Sequence, residues 1–389
     1  TQFVHLWVCD QTEKSNDTFE DYGLFTQVEQ LNKTALKAHG LDKNGHLYKV
    51  NNFEFYRYED TIKLADDPDY NQANFEGMLE IKGDSDHTKL IEMLDALNDE
   101  SQKIDDVLDT YFDTENLVYW LAFQILTGNC DTQNRNCYLY SPLNSNTWYF
   151  LDWDNDGMLR KLELSLKGFS DYANWERGVS NYWGNVLFKR ALHSKSFRSE
   201  LDRAVKDLRS YLTEERLAKM IKHYREVTES LVFASPDIDN LPVTKDQYEQ
   251  IAAAIPSEIE ENYKSYRESY KKPMPFYIGV PQIDNGKLRL NWDAAYDFEA
   301  RDIRYTVELA RDYAISDVLF KAEDVLLPEV TCDAPDSGQY FVRVRATNSD
   351  GYTQDAFDCY VTDGGKQYSM KCFYVQDGGK VVEDTYEEG

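Results

Sequence analysis

No apolar run in this chain approaches the roughly 20 residues that a helix needs to cross a bilayer, so a membrane-spanning helix is not expected. The opening TQFVHLWVCD has neither the basic start nor the small-residue cleavage site of an export signal. It reads as the middle of a strand, and the chain is therefore expected to begin inside a domain. Basic residues are scarce: 42 Lys and Arg against 70 Asp and Glu give a net charge of −28. With no basic stripe, such a field repels phosphate backbones and argues against nucleic acid as a partner. The six cysteines form no C-x-x-C pair and the six histidines no H-E-x-x-H, which argues against a structural zinc site. Cys332, Cys359 and Cys372 fall in one β-rich region, where one disulfide and buried free thiols are equally open. No G-x-x-x-x-G-K-[ST] phosphate loop is present either.

What is present suffices for sizeable cores. At 389 residues, 42% hydrophobic and 14% aromatic, the chain is expected to form two or three domains. Strand-like alternation at Phe3 to Val8, a polar insertion from Gln11 to Asp21 and a second run at Gly23 to Val28 predict a hairpin. A helix ending at Gly40 and short strands at HLYKV (46–50) and FEFYRY (53–58) should follow. Residues 61–112 read as mostly helical. Asp113 is a natural N-cap for the almost wholly apolar helix that ends at Gly128.

Two strands, Cys137 to Tyr140 and Trp148 to Leu151, should pair through a turn at Pro142 to Asn146. Three helical stripes fill 201–212, 217–231 and 251–266, with Pro256 placed as a helix start. After the linker Lys271 to Pro275 the period changes to two, in LRLNW, IRYTVELA and YFVRVRA. This spacing predicts a β-sandwich. The stretch from 275 to 363 resembles a fibronectin type III module, with Trp292 in its second strand and GQYFVRVRATNSDG (338–351) as its sixth. Residues 364–389, between and after two DGGK turns, are expected to form a last hairpin or the start of another module.

The chemistry is concentrated between Gly128 and Gly157. Asp152, Asp154 and Asp156 stand on alternate positions, and Asp131 and Asn136 lie in a polar loop that the preceding helix supports. Three readings remain open. The acids are a solvated loop, although Trp148 to Leu151 and Trp153 hold them at the edge of a core, where desolvated carboxylates call for a cation. They are a calcium loop, since D-x-D-x-D-G with Glu163 beyond it matches the EF-hand spacing. Or they serve phosphoryl transfer, in which one carboxylate orients a hydroxyl and others hold Mg²⁺ on the phosphates; Asp131 and Asn136 keep the D-x-x-x-x-N spacing of a kinase catalytic loop.

Taken whole, LTGNCDTQNRNCYLYSPLNSNTWYFLDWDNDG resembles the motif of the CotH family, the atypical kinases of the spore-coat-protein-H type. DYGLFTQVEQLNK (21–33), HLYKV and NVLFKRALHSKSFRSEL (185–201) resemble its flanking segments, and the resemblance covers about residues 1–270. It implies an α+β kinase-like domain over 1–272, β-rich at its N-terminal end and lacking part of that region, α-rich after it, followed by the all-β module. It also implies a bacterial, secreted or cell-surface protein kinase using ATP with Mg²⁺ or Mn²⁺ on Ser or Thr of a protein substrate. Asp131 would be the catalytic acid, Asn136, Asp152, Asp154 and Asp156 the metal ligands, and Glu29 and Lys49 would lie near the nucleotide. The sequence departs from the family in placing Trp153 between the acids, with Leu151 before them. The rival is a non-catalytic surface scaffold or adhesion protein, associated with other surface modules, whose acids bind a structural Ca²⁺.

Overall fold

A computed structural model describes residues 1–10, 12, 18–168, 173–362 and 365–384. The polar insertion after the first strand and the first DGGK turn lie partly outside the described residues. Two compact units are found, one of residues 1–167 with 194–261, the other of 168–193 with 262–389.

In the first unit, β1 (Gln2–Val8) and β2 (Glu20–Gln27) form a two-stranded antiparallel sheet. Helix α1 (Lys33–Ala38) starts at Asn32, whose side chain accepts from the backbone of Thr34 and Ala35. A four-stranded antiparallel sheet follows, in the order β4–β3–β5–β6, from β3 (His46–Val50), β4 (Leu79–Ile81), β5 (Cys137–Ser141) and β6 (Tyr149–Asp152). One face packs Leu47, Tyr138 and Tyr140 against Leu36 of α1. Around the sheet lie α2 (Gln72–Met78), α3 (Thr88–Asn98), α4 (Ile104–Tyr111) and α5 (Thr114–Thr127). Asp113 caps α5 by accepting from the Asn116 N–H, and Gly128 ends it in the left-handed region at φ 67°.

After α6 (Lys161–Leu166), and with α7 (Val186–His193) belonging to the other unit, the first unit continues through α8 (Lys195–Tyr211), α9 (Glu214–Val232) and α10 (Asp237–Asn240) into α11 (Lys245–Ser269). Two sequence expectations change here. FEFYRY is not a strand: Phe55 and Tyr58 take positive φ, which breaks the extended backbone that a ladder needs, while Phe53 and Phe55 are buried all the same. Pro256 lies inside α11. The helix starts earlier because Thr244 and Gln247 cap one another's backbone N–H groups, and Pro256 removes one internal hydrogen bond.

The second unit is a β-sandwich. Strands β7 (Gln282–Asp284), β8 (Lys287–Asn291) and β11 (Glu329–Asp333) make a three-stranded sheet. Strands β9 (Ile303–Ala310), β10 (Val318–Val325), β12 (Gly338–Asn348), β13 (Thr353–Asp355), β16 (Met370–Val375) and β17 (Val381–Glu383) make a six-stranded one. A small hairpin of β14 (Cys359–Thr362) and β15 (Gly365–Tyr368) adjoins it. Leu288 and Leu290 of one sheet share a core with Val307, Val342, Val344 and Phe373 of the other. Because β16 pairs directly with β12, the tail strands complete this sheet. Residues 173–193 join this unit through bonds such as Asn174 Oδ1 to the Asp355 N–H and the Trp175 indole to the Ala356 carbonyl. Cys137, Cys332 and Cys372 are free thiols.

Beneath the four-stranded sheet, fully buried His87 is bonded through Nδ1 to the Tyr48 hydroxyl at 2.8 Å and through Nε2 to that of Tyr70 at 3.2 Å. It stacks on Phe75 with ring centroids 4.1 Å apart. Burial lowers its pKa to about 4. A histidine depressed in the fold takes up its proton more readily when unfolded, so its contribution is fully present above pH 6.5 and is lost as pH falls from 6.5 toward 4. The shift corresponds to about 3 kcal/mol at most. Urea unfolding across that window should therefore show a downward slope that His87→Phe reduces; an identical slope in the variant would remove His87 as its source.

Candidate active site

Helix α5 carries the site at its C-terminal end. Its apolar length packs under the sheet, with Leu117, Val118, Leu121 and Leu126 buried, while Gly128 turns the chain sharply into the loop 129–136. That loop is held from two directions. Asn134 donates its side-chain amide to Asn52 at 2.6 Å and to Glu54 at 2.7 Å, and its carbonyl accepts from the Phe53 N–H at 2.8 Å. At the loop's centre, Asn136 Nδ2 donates to the Asp131 carboxylate at 2.9 Å and to the Asp131 carbonyl at 3.1 Å. The other Asp131 carboxylate oxygen meets Arg135 at 2.8 Å. With Nδ2 spent in this way, the Asn136 carbonyl oxygen is the end left for a ligand.

The β5–β6 hairpin brings the second acidic run back to this loop. Cys137 pairs with Asp152 across the ladder, so Asp152 lies beside the residue that follows Asn136. The turn after it, including the 3₁₀ segment Asn155–Gly157, packs on the loop: a Cβ on Gly157 would stand 2.6 Å from Asn129 Oδ1 and 3.6 Å from Asp131 Cβ. Asn136 and Asp154 both hold positive φ, at 60° and 57°, a conformation that Asn and Asp adopt more readily than other side chains. Leu159 N–H then returns to the Thr127 carbonyl at 2.8 Å.

One residue, Gln124, escaped the sequence reading, which gives Asn129 only a loop-shaping part. Gln124, buried in α5, donates to the Asp152 carboxylate at 2.8 Å and accepts from Asn129 Nδ2 at 3.1 Å. Asn129, also buried, reaches Asn155 Oδ1 at 3.5 Å and accepts from the Asp131 N–H at 3.4 Å. The two acidic segments are thus joined through a glutamine on the helix between them. Its signal in the sequence was a lone polar residue inside the run LVYWLAFQIL. Burial raises the pKa of Asp152, against the lowering effect of the Trp120 and Gln124 side chains.

The donor set is all oxygen, which suits a hard cation. Among the described residues, however, no three His, Cys, Asp or Glu side chains gather as a metal cage, and Asp154 and Asp156 are exposed to solvent. Ca²⁺ asks for six to eight oxygens, whereas Mg²⁺ keeps several waters and takes one or two carboxylates together with substrate phosphates. The residues present fit the second pattern. Glu163, the twelfth position of the EF-hand spacing, is engaged by Arg160 at 2.9 Å and Lys167 at 2.6 Å, and the run is entered from strand β6 rather than from a helix.

Glu29 is paired with His39 at 2.7 Å, and among the described residues no bond joins it to the loop or the hairpin. Lys49 lies half-buried in β3, between Glu80 and Tyr138 in register, and forms no ion pair among the described residues. A family model described as CotH kinase protein matches residues 1–266. The chain belongs to the CotH kinase family. In CotH terms the match ends within α11 and covers both acidic segments, with the helix that joins them. No curated protein matches the chain. Among solved structures, an alignment to the surface layer protein SbsC, domains 1–6, has 11% identity and a TM-score of 0.15, covering 78% of this chain and 40% of that one. At that score it carries no argument about the fold.

Proposed function

We propose that this CotH protein is a metal-dependent kinase, secreted or displayed on a bacterial surface, that transfers the γ-phosphate of ATP to Ser or Thr hydroxyls of extracellular or coat proteins. The observation that carries the reading is the bond from Asn136 to both the carboxylate and the carbonyl of Asp131. It holds a potential base and a potential metal ligand in one rigid unit. In the proposed step the acceptor oxygen bonds to the γ-phosphorus, the bond to the β–γ bridging oxygen breaks, and ADP leaves. Asp131 orients the hydroxyl and takes its proton.

The Asn136 carbonyl oxygen, Asp152 and Asp154, with Asp156 behind them, would hold Mg²⁺ or Mn²⁺, which when bound offsets the charge of the phosphates. Lys49, half-buried in β3, would lie near the nucleotide. Glu29, occupied by His39, would border the nucleotide at most indirectly. The fibronectin-like module is proposed as a spacer or binder.

Incubation of the parent chain and of Asp154→Ala with γ-labelled ATP, Mn²⁺ and a generic acceptor protein tests the proposal. Label should pass to protein in the parent and fall roughly 10–100-fold in the variant. Absence of transfer, with Ca²⁺ bound equally with and without ATP, would instead favour a calcium-stabilised scaffold.

A further inference from the structure

Strands β3 and β5 pair from His46 with Ser141 to Val50 with Cys137. Carried on past the ladder, the same register sets Phe53 opposite Asn134. There the Phe53 N–H donates to the Asn134 carbonyl at 2.8 Å, so the segment after β3 and the loop before β5 are joined again beyond the sheet. The Asn134 side chain closes the joint. Its Nδ2 donates to Asn52 Oδ1 at 2.6 Å and to Glu54 Oε1 at 2.7 Å, on either side of Phe53, which engages both of its hydrogens. Glu54 is held from both sides as well, because its other oxygen accepts from the Tyr58 hydroxyl.

The segment that carries Glu54 is itself braced. Phe53 and Phe55 are buried with ring centroids 4.9 Å apart, Asn98 of α3 donates to the Phe55 carbonyl at 3.0 Å, and Arg57 meets Asp95 of the same helix. These contacts hold Phe55 and Tyr58 at φ 64° and 40°, a conformation rare for bulky side chains that persists where the surroundings over-determine it, as they do at active sites. The kink has a geometric use. It returns the Tyr58 hydroxyl to Glu54, four residues earlier, so the carboxylate has a fixed direction where Asn134 meets it. The backbone bond from Phe53 would by itself tether the loop. The carboxylate adds orientation, because two acceptors on fixed groups set the rotation of the Asn134 side chain. Two residues further on, Asn136 takes φ 60° while its Nδ2 holds Asp131, so the backbone being oriented is the one on which the proposed base and metal ligand stand.

We infer that Glu54 is a positioning residue for phosphate transfer, acting through Asn134 on the loop that carries Asp131 and Asn136. Its catalytic consequence rests on the kinase reading above, whereas its hold on the loop is measurable without ATP or metal. In the metal-free chain, exchange of the Asn136 side-chain amide protons with water, followed by NMR, should quicken about tenfold or more in Glu54→Ala. It should stay within about threefold of the parent in Glu54→Gln, whose amide oxygen can accept from Asn134 and whose Nε2 can donate to Tyr58. With Mn²⁺ and γ-labelled ATP, Glu54→Ala should lower kcat about 10–100-fold, with the KM for ATP within about threefold, and Glu54→Gln should restore most of the loss. Asn134→Ala removes the same contact from the other side, so it should act alike, and the double variant should lose no more than either single one. It also serves in place of Glu54→Ala should that variant not fold. Unchanged Asn136 exchange in a folded Glu54→Ala, losses that add in the double variant, or a loss in Glu54→Gln equal to that in Glu54→Ala overturns the inference. A parent that transfers no label fails the kinase reading and the catalytic role with it, and the exchange result shows separately whether Glu54 holds the loop.

Discussion

Asp131→Asn is expected to lower phosphate transfer by on the order of 10²–10⁴-fold, the range that general-base catalysis contributes, while leaving the protein folded. The two effects separate because their sizes differ. A loss of that order is about 3–5 kcal/mol of transition-state stabilisation. By contrast, the ion pair of Asp131 with Arg135 is half-exposed on both sides, and such pairs are worth about 0–1 kcal/mol. Asparagine keeps an oxygen that can accept from Asn136 Nδ2, so the loop retains its shape and only the proton acceptor is lost. Initial rates at saturating ATP should therefore drop with little change in the KM for ATP, and the urea midpoint should barely move. Transfer retained within about threefold would remove Asp131 from the chemistry.

Phe150→Ala should cost about 3–5 kcal/mol of stability, a large share of the roughly 5–15 kcal/mol that holds a domain folded. Phe150 is buried at the centre of β6, 4.9 Å from the Trp120 ring and stacked on Phe55 at 5.9 Å. Its backbone is clasped by Asn116 of α5, which accepts from the Phe150 N–H at 2.7 Å and donates to its carbonyl at 3.1 Å. The phenyl ring therefore fastens the strand that carries Asp152 to the helix that carries Gln124. Removing it should lower the urea midpoint with an unchanged slope and reduce transfer as well, a pairing that Asp131→Asn does not share. A loss below about 1 kcal/mol would mean that the cavity closes and that β6 is held from elsewhere.

The parts that were legible in the sequence are those whose causes are local. Asp113 and Gly128 bound α5 because a cap acts on the adjacent turn. The β5–β6 hairpin follows from two alternating runs around a Pro142 turn, and its register returns Asp152 to the loop as that pattern implied. Less legible was FEFYRY, whose alternation is strand-like but whose Phe55 takes positive φ, because its rings fill a pocket beside Phe150 rather than joining a ladder. The compact units also divide within α11, between Glu261 and Asn262, where no linker composition marks a break.

The sequence by itself determined the family motif, the supporting helix, the hairpin and the identity of the candidate acids, since caps, periods and short spacings act over a few residues. Only the tertiary structure decided that Gln124 and Asn129 join the two acidic segments, and that Glu29 belongs to His39. Which partner a polar side chain finds depends on groups brought close by packing of distant segments, and a one-dimensional pattern does not carry that proximity.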